Sequence, residues 1–323
     1  RVVSLRMAHE QSATLVHAFE GNALQTLDAA RRRGQRTVLD VPSAHEYYLD
    51  VMRAEGASFN ERMYARVTSH FQREREPADL LLVASELGRR CLLDNGIADN
   101  RIAVIPYGTD PERFKPLPGA DVDDGKFRLL YVGRCSLRKG IHYLLEAWRR
   151  LSLPNAELIL VGLADSQGRD LLARYEGQFR WLGYVPYPDL PAFYQSNTAF
   201  VCPSLADTGP YVAYEAMASG LPVLLTENSR AAARDGVEGF IVPIRDVDAL
   251  AGRIRYFYDH RADAQAMGTA GRERILRGFS WRHYQMRLIA AYEALSRGAE
   301  VQPAVDRLGQ EFEPVFQPLA SHA

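Results

Sequence analysis

The feature that most constrains this chain is a rhythm: short apolar runs alternate with stretches of helical periodicity. In the second half the runs are Phe127–Val132, Leu158–Val161, Phe200–Cys202, Pro222–Leu225 and Phe240–Val242. Rich in Val, Leu, Ile and aromatics, they read as strands buried on both faces, as strands of a parallel sheet are. Amphipathic stretches lie between them; Gly140–Leu151 places Ile141, Leu144, Leu145 and Trp148 on one stripe. The first half repeats the pattern more weakly, with strand candidates at Leu15–Phe19, Thr37–Val41, Leu80–Ala84 and Ile102–Ile105 and helices over Leu24–Arg33, His45–Ala54 and Glu86–Asn95. Strand alternating with helix predicts an α/β chain of two Rossmann-like, doubly wound domains.

A length of 323 residues fits two domains of ordinary size. The polar stretch Gly119–Lys126 marks the boundary, giving a domain over 1–118, a second over 119–296 and a tail over 297–323. Periodicity fades past Arg297, and Pro303, Pro314 and Pro318 punctuate a tail expected to be loosely ordered or docked on the surface. The formal net charge of -1 gives no overall field for nucleic acid or an anionic membrane, so any basic site must be local. Cys91, Cys135 and Cys202 are far apart and odd in number, which fits neither a disulfide framework nor a zinc site and suits a reducing cytoplasm. No apolar run approaches the roughly 20 residues that span a bilayer. The run Arg31-Arg32-Arg33 closes a helix, where cations suit the dipole. It could also touch acidic lipid head groups, as a peripheral contact at an inner membrane face.

In sheets of this kind ligands bind at the carboxyl ends of the strands, so the loops there carry the functional expectations. The loop after Val132 reads Gly133-Arg134-Cys135-Ser136-Leu137-Arg138-Lys139-Gly140, three cations before a helix start. Free N–H groups and the positive end of the helix dipole suit a phosphate or diphosphate there. Taken alone, the loop also fits a solvated basic turn. After Cys202, Thr208 or Gly209 can cap a helix that Pro210 opens and Gly220 ends. Glu215 sits inside that small-residued, apolar helix, where a carboxylate is costly without partners. Vicinal hydroxyls, as on a ribose, would satisfy it; so would an arginine across the interior. Asp207, just before the helix, could accept hydroxyls of a second ring or simply cap the helix. Among the histidines only His45, which follows a strand, is a functional candidate, its alternative being a solvent-facing side chain at a helix start. Phe71–Pro77, with charges of alternating sign, reads as an exposed helix face. No metal-ligand spacing occurs.

At these residues the sequence resembles glycosyltransferase family four, retaining enzymes with the GT-B fold. The resemblance runs from about Leu15 to about Leu295. Asp207 and Glu215 match the family's acidic pair, with seven residues between, and Ala216-Met217-Ala218-Ser219-Gly220-Leu221-Pro222-Val223 matches the sequel. The resemblance implies that Arg134 and Lys139 hold the donor diphosphate and stabilise the leaving group. It implies that Glu215 binds the ribose, Asp207 contacts the transferred sugar, and Thr208, Gly209, Pro210 and Tyr211 face sugar hydroxyls and phosphate. Gly183, Tyr184 and Val185 would lie against the nucleobase, and His45 near the sugar. The implied activity is metal-independent transfer of a hexose-type sugar from a UDP- or GDP-linked donor to a hydroxyl acceptor (a glycan, a lipid-linked glycan or a small molecule), with no cofactor, no metal and no nucleic acid. A non-catalytic nucleotide-sugar-binding pseudoenzyme and a GT-B sugar-nucleotide epimerase are the alternatives. Asp207 stands where the family has Glu, and Thr208-Gly209-Pro210 where it has Gly-Phe-Gly. The resemblance also implies an incomplete first domain, since the strands and glycine-rich loop that usually open it would precede Arg1.

Overall fold

The structure, a computed structural model, describes residues 13–117 and 125–311. They divide into two compact units: the described residues of Arg1–Leu49, Phe59–Pro106 and Arg282–Ala323 form the first, and those of Asp50–Ser58 and Tyr107–Trp281 the second. In chain order the elements begin β1 (Leu15–Phe19), α1 (Leu24–Arg32), β2 (Arg36–Asp40), α2 (His45–Ala54), α3 (Glu61–Arg75), β3 (Leu80–Val83), α4 (Glu86–Asp94) and β4 (Ile102–Val104). They continue β5 (Phe127–Val132), α5 (Ile141–Leu151), β6 (Ala156–Val161), α6 (Ser166–Arg174), β7 (Arg180–Trp181), α7 (Leu190–Gln195), β8 (Ala199–Cys202), α8 (Tyr211–Ala218), β9 (Val223–Thr226) and β10 (Gly239–Val242). Four helices close the described chain: α9 (Val247–Asp259), α10 (Arg261–Gly278), α11 (Trp281–Ser296) and α12 (Val301–Glu311).

The first sheet is parallel and runs β1-β2-β3-β4 in sequence order. A sheet wound steadily in one direction receives its crossover helices on one face. There Leu39, Leu81, Val83, Ile102 and Val104 pack with Leu27 of α1 and Leu92 of α4. The other face is as apolar. Val38, Leu80, Leu82, Ala103 and Ile105 are covered by Ala291 and Ala294 of α11 and by Val301 and Val305 of α12. Residues 282–296, which sequence periodicity assigned to the second domain, thus pack with the first. Part of the expected tail does so too: Pro303 falls in the first turn of α12, where its missing N–H is no loss, and Val305 is fully buried. Pro314, Pro318 and most of the expected boundary Gly119–Lys126 lie outside the described residues.

The second sheet is also parallel, in the order β10-β9-β8-β5-β6-β7. The chain winds outward from β5 through β6 to β7, then returns to the middle at β8 and winds the other way. Its core joins Phe127, Leu129 and Tyr131 of β5 to Leu144 and Trp148 of α5 and to Leu250, Ile254 and Phe257 of α9. The reversal between β5 and β8 leaves their two following loops side by side at the carboxyl edge.

Charge in α3 was read as an exposed face; two of its residues are instead buried. Arg75, 2% exposed, gives its Nε to Glu20 at 2.8 Å and its Nη1 to Glu46 at 2.7 Å. Glu20 follows β1, and burial pushes its carboxyl up to about 7 even with Arg75 beside it. Glu74, whose side chain is fully buried, accepts from the backbone N–H groups of Gly21 at 2.5 Å, Ala23 at 2.6 Å and Leu24 at 3.3 Å. The N-cap of α1 is Ala23, which has no side-chain acceptor, so a carboxylate from a distant helix satisfies the orphan donors. Glu74→Ala should therefore destabilise the first unit by about 3 kcal/mol, the scale of leaving several buried donors unsatisfied, and Glu74→Gln by less. Urea unfolding followed by circular dichroism measures both; equal midpoints for wild type and the Ala variant would contradict the cap.

Candidate functional site

The site is built from the two loops at the reversal. The loop after β5 climbs from Gly133 to Gly140, where α5 begins. Gly140 has φ 68°, and a Cβ there would stand 2.0 Å from the Pro203 carbonyl oxygen, so only glycine lets this loop meet the loop after β8. Arg138 ties the two together: its backbone carbonyl accepts from Leu205 N at 3.0 Å and its Nη1 donates to the Ala206 carbonyl at 2.6 Å. From below, the buried Tyr131 hydroxyl donates to the Arg134 carbonyl at 2.8 Å. On the other side, Thr226 Oγ1 donates to the Ser204 carbonyl at 2.5 Å and Asn228 Nδ2 to the Leu205 carbonyl at 2.8 Å. The turn after β9 thus braces the acidic loop. Thr226 and Asn228 had no signal in the sequence beyond following a strand.

These ties set the side chains. Lys139 and Asp207 form an ion pair, each side chain mostly but not fully covered (18% and 11% exposed). Arg134 is exposed on the same loop as Lys139. Thr208 is buried, and Pro210 is the N-cap of α8, so the helix starts one residue later than expected and has no side-chain cap. Proline at the cap has no N–H of its own, and the first N–H groups of α8 lie just beyond Gly209 and Pro210. Tyr211 is half-exposed and stacks on Tyr107 with ring centroids 4.5 Å apart. Gly220, at φ 79°, follows the C-cap Ser219 and donates to the Met217 carbonyl at 3.0 Å, the expected helix stop.

Glu215 is 4% exposed inside α8. The arginine alternative is not what meets it: the fully buried Tyr194 donates its hydroxyl to Oε2 at 2.8 Å, and Tyr187 also hydrogen-bonds to it. Arg113 acts at longer range, with its guanidinium 4.9 Å from the centre of the Tyr187 ring. Burial dominates, and it raises the Glu215 carboxyl above its ordinary range although both tyrosines oppose this. Tyr187 and Tyr194 lie on a turn and a short helix with no strong periodicity, so the sequence offered no reason to single them out. Gly183, at φ 66°, takes its backbone carbonyl to Gly162 N at 2.7 Å, beside the loop after β6. Tyr184 next to it is 69% exposed, and Val185 is half-buried.

His45 belongs to the first unit, at the start of α2. It is 9% exposed rather than solvent-facing, stacked on Tyr64 at 5.5 Å and edge-on to Phe71 at 5.1 Å. Burial lowers its pKa, and Nε2 is buried without a hydrogen bond. Cys91, Cys135 and Cys202 are buried free thiols; burial pushes Cys135, in the basic loop, up to about 12, far from a nucleophile's range. Among the described residues no group of acidic, His and Cys side chains is arranged to hold a metal, and no helix is long and apolar enough to cross a membrane.

Residues 118–274 match the family model described as glycosyl transferases group 1. The glycogen synthase of Mycobacterium tuberculosis is 32% identical over 224 residues, which is 66% of this chain and 52% of that protein. The D-inositol 3-phosphate glycosyltransferase 1 of Catenulispora acidiphila is 30% identical over 64% of this chain and 55% of its own length. The chain thus spans little more than half the length of these relatives. Among solved structures, sucrose-phosphate synthase from Thermosynechococcus elongatus superposes with a TM-score of 0.73 at 23% identity, covering 92% of this chain and 78% of that one. HepE from Anabaena in complex with UDP and glucose gives 0.72 at 21% identity, covering 92% and 81%. The fold is therefore that of the GT-B glycosyltransferases: two α/β units, each on a parallel sheet.

The electrostatics of Glu215 have a consequence that needs no ligand. Its folded pKa lies above its unfolded one, so its contribution to stability is fully present below the unfolded value and is lost as pH rises through the folded value. Above its unfolded pKa the buried carboxyl is a burden to the fold, because burial disfavours its charged form. Glu215→Gln, which keeps an acceptor for Tyr194, should raise Tm at pH 7.5 by about 2–4 °C, the shift that ~1 kcal/mol produces in a domain of this size. The gain should vanish by pH 4.5. A Tm lowered by the substitution at pH 7.5 would show that the carboxylate is stabilising there.

Proposed function

We propose that this chain is a retaining, metal-independent glycosyltransferase that moves a hexose-type sugar from a nucleoside diphosphate to a hydroxyl acceptor. The observation that carries the reading is Glu215: a carboxylate buried against tyrosine hydroxyls at the reversal of a doubly wound sheet, one loop away from an Asp207–Lys139 pair. Ligands of open α/β sheets bind at that reversal. A buried acid kept at a cost to the fold is expected where it serves a ligand. The group 1 match over 118–274 and the UDP held by HepE support the same assignment of donor class.

In this reading Glu215 accepts the ribose hydroxyls, the backbone of Gly183-Tyr184-Val185 lies along the base, and Arg134 and Lys139 face the diphosphate. The reaction forms a bond from the acceptor oxygen to the anomeric carbon, on the face the diphosphate leaves. It breaks the anomeric carbon–oxygen bond to that diphosphate. The acceptor proton passes to the departing phosphate, whose charge the two cations stabilise electrostatically. No covalent enzyme intermediate is needed. Asp207 orients the sugar hydroxyls, helped by the first N–H groups of α8 beyond Thr208 and Gly209. Thr208-Gly209-Pro210, with no N–H at Pro210, offers fewer donors than the family's usual run, so Asp207 carries more of the sugar contact. His45 belongs to the first unit, and its part in the reaction rests on the family resemblance alone.

Full-length protein incubated with UDP- and GDP-sugars and a panel of hydroxyl acceptors tests the reading. A glycoside with the donor's anomeric configuration supports it; an epimerised donor, or binding without any turnover across the panel, overturns it. Glu215→Ala should weaken calorimetric affinity for the nucleotide sugar by at least about tenfold, or ~1.4 kcal/mol. An unchanged affinity in a folded variant removes the ribose assignment.

The Lys139–Asp207 pair yields a second expectation. Asp207 neutralises the lysine that a diphosphate needs, so donor phosphate must compete for it. A partly exposed pair is worth ~0.2–1 kcal/mol. Asp207→Asn should therefore tighten binding of the nucleoside diphosphate alone by about twofold to fivefold at low salt, while sugar transfer falls. Weaker diphosphate binding in this variant would place Lys139 away from the phosphate.

A further inference from the structure

Glu215 is 4% exposed, yet a donor must reach its carboxylate. Among the described residues two side chains hydrogen-bond to it, and they differ in burial. Tyr194, in α7, is fully buried and gives its hydroxyl to Oε2 at 2.8 Å. Tyr187 stands on the three-residue turn Tyr187–Asp189 just before α7 and is 44% exposed. Its hydroxyl meets both Glu215 and Arg113. Of these two partners of the acid only Tyr187 reaches the surface, so a ligand hydroxyl must arrive on its side. The carboxylate keeps spare lone pairs, but the tyrosine ring stands in front of them.

The surroundings of that ring suit an exchange. Phe114, fully buried, lies edge-on to Tyr187 at 5.7 Å and edge-on to Tyr194 at 5.6 Å. The guanidinium of the exposed Arg113 lies 4.9 Å from the Tyr187 ring centre. One neighbour of the ring thus belongs to the core and the other to the solvated surface. Turning about χ1 would carry the ring outward past Arg113 and leave Phe114 and Tyr194 in place. What is given up is a neutral hydrogen bond and an exposed cation–π contact, both small beside the binding energy of a nucleotide. A phenol and a ribose hydroxyl are equivalent here, since each is a neutral O–H donor to a carboxylate. In the empty site the phenol satisfies an acid that would otherwise be buried with less support.

We propose that Tyr187 sets donor affinity as an internal stand-in for a ribose hydroxyl: its phenol occupies Glu215 in the empty site, and a nucleoside diphosphate must displace it. The proposal rests on the reading of Glu215 as the ribose acceptor. Its consequence is that the donor gains from Glu215 only the difference between a sugar hydroxyl and a phenol. That moderates the hold on the nucleoside diphosphate product and favours its release.

Calorimetry of the full chain against UDP, GDP and their 2′,3′-dideoxy forms tests this, on wild type, Tyr187→Phe, Glu215→Ala and the double variant. Tyr187→Phe keeps the ring against Phe114 and removes the competing hydroxyl. It should tighten binding of whichever of UDP and GDP the wild type takes by about threefold to tenfold, the worth of one hydrogen bond. The dideoxy forms bring no ribose hydroxyl, so their affinity should stay as in wild type. The gain should also disappear in the Glu215→Ala background. A merely structural role for Tyr187 would shift natural and dideoxy nucleotides alike. The proposal is overturned if Tyr187→Phe weakens or leaves unchanged the binding of the natural nucleotide, or if the dideoxy form tightens equally. Glu215→Ala separates the two failures. A loss of affinity there, with no gain from Tyr187→Phe, sinks the stand-in and keeps the ribose assignment. No loss there, or no binding of either nucleotide to wild type, removes both. Should Tyr187→Phe fail to fold by circular dichroism, Tyr187→Leu carries the same comparison.

Discussion

A parallel strand starts at the end of the sheet opposite to where its neighbour stopped, so every connection must cross back along a face. The second unit turns this constraint into a site. Its chain lays β5, β6 and β7 outward, then returns to put β8 on the free side of β5. Only at that reversal do two successive carboxyl-end loops leave the middle of the sheet for helices on opposite faces, with a gap between them. The Arg138 bridge, the close contact at Gly140 and the brace from Thr226 and Asn228 hold the loops there. Lys139 and Asp207 meet because their loops do; neither helix nor strand alone would bring them together.

Glu215 shows what such a site costs. Burial raises the pKa of this carboxylate within α8, so its charged form is held at a cost to the fold. Two tyrosine hydroxyls reduce that cost without removing it, because each gives a neutral hydrogen bond where a charge would give more. They also leave acceptor capacity on the carboxylate. An arginine in place of Tyr194 would instead pair with the acid as a charge.

How much of this was legible in the sequence follows from what periodicity encodes. Strands buried on both faces are apolar runs, so Phe127–Val132 and Leu15–Phe19 were read with their observed ends. The two-residue β7 was missed because Arg180 and Trp181 sit exposed at a sheet edge and carry no run. The acidic pair was found through its spacing and its helix stop, both local. Its partners were not found: Tyr187, Tyr194, Thr226 and Asn228 come from other elements and turns, and their alignment exists only once the sheet forms. For the same reason charge alternation misread α3. Hydrophilicity marks a surface on average, but Glu74 and Arg75 are buried because the bare N-terminus of α1 and the acids Glu20 and Glu46 need counterparts.

The same limit explains the allocation of α11 and α12. Periodicity tells which stripe of a helix is apolar, never which sheet it will cover. A sheet wound in one direction has helices on one face only, and Val38, Leu80, Leu82, Ala103 and Ile105 leave the other face needing a cover that its own crossovers do not supply. In the described residues that cover comes from the far end of the sequence. Gln302 of α12 even donates order to the sheet's edge strand, its Oε1 accepting from Val104 N at 2.8 Å. The first unit is therefore completed only when the last described helices dock, after the second unit's sequence has been passed. Its stability must depend on residues some 200 positions away from its strands, as the separation of 198 between Val104 and Gln302 makes plain. Long-range closure of this kind is slow to form and hard to read, because no segment between Leu15 and Val104 announces that its second apolar face is provided for elsewhere.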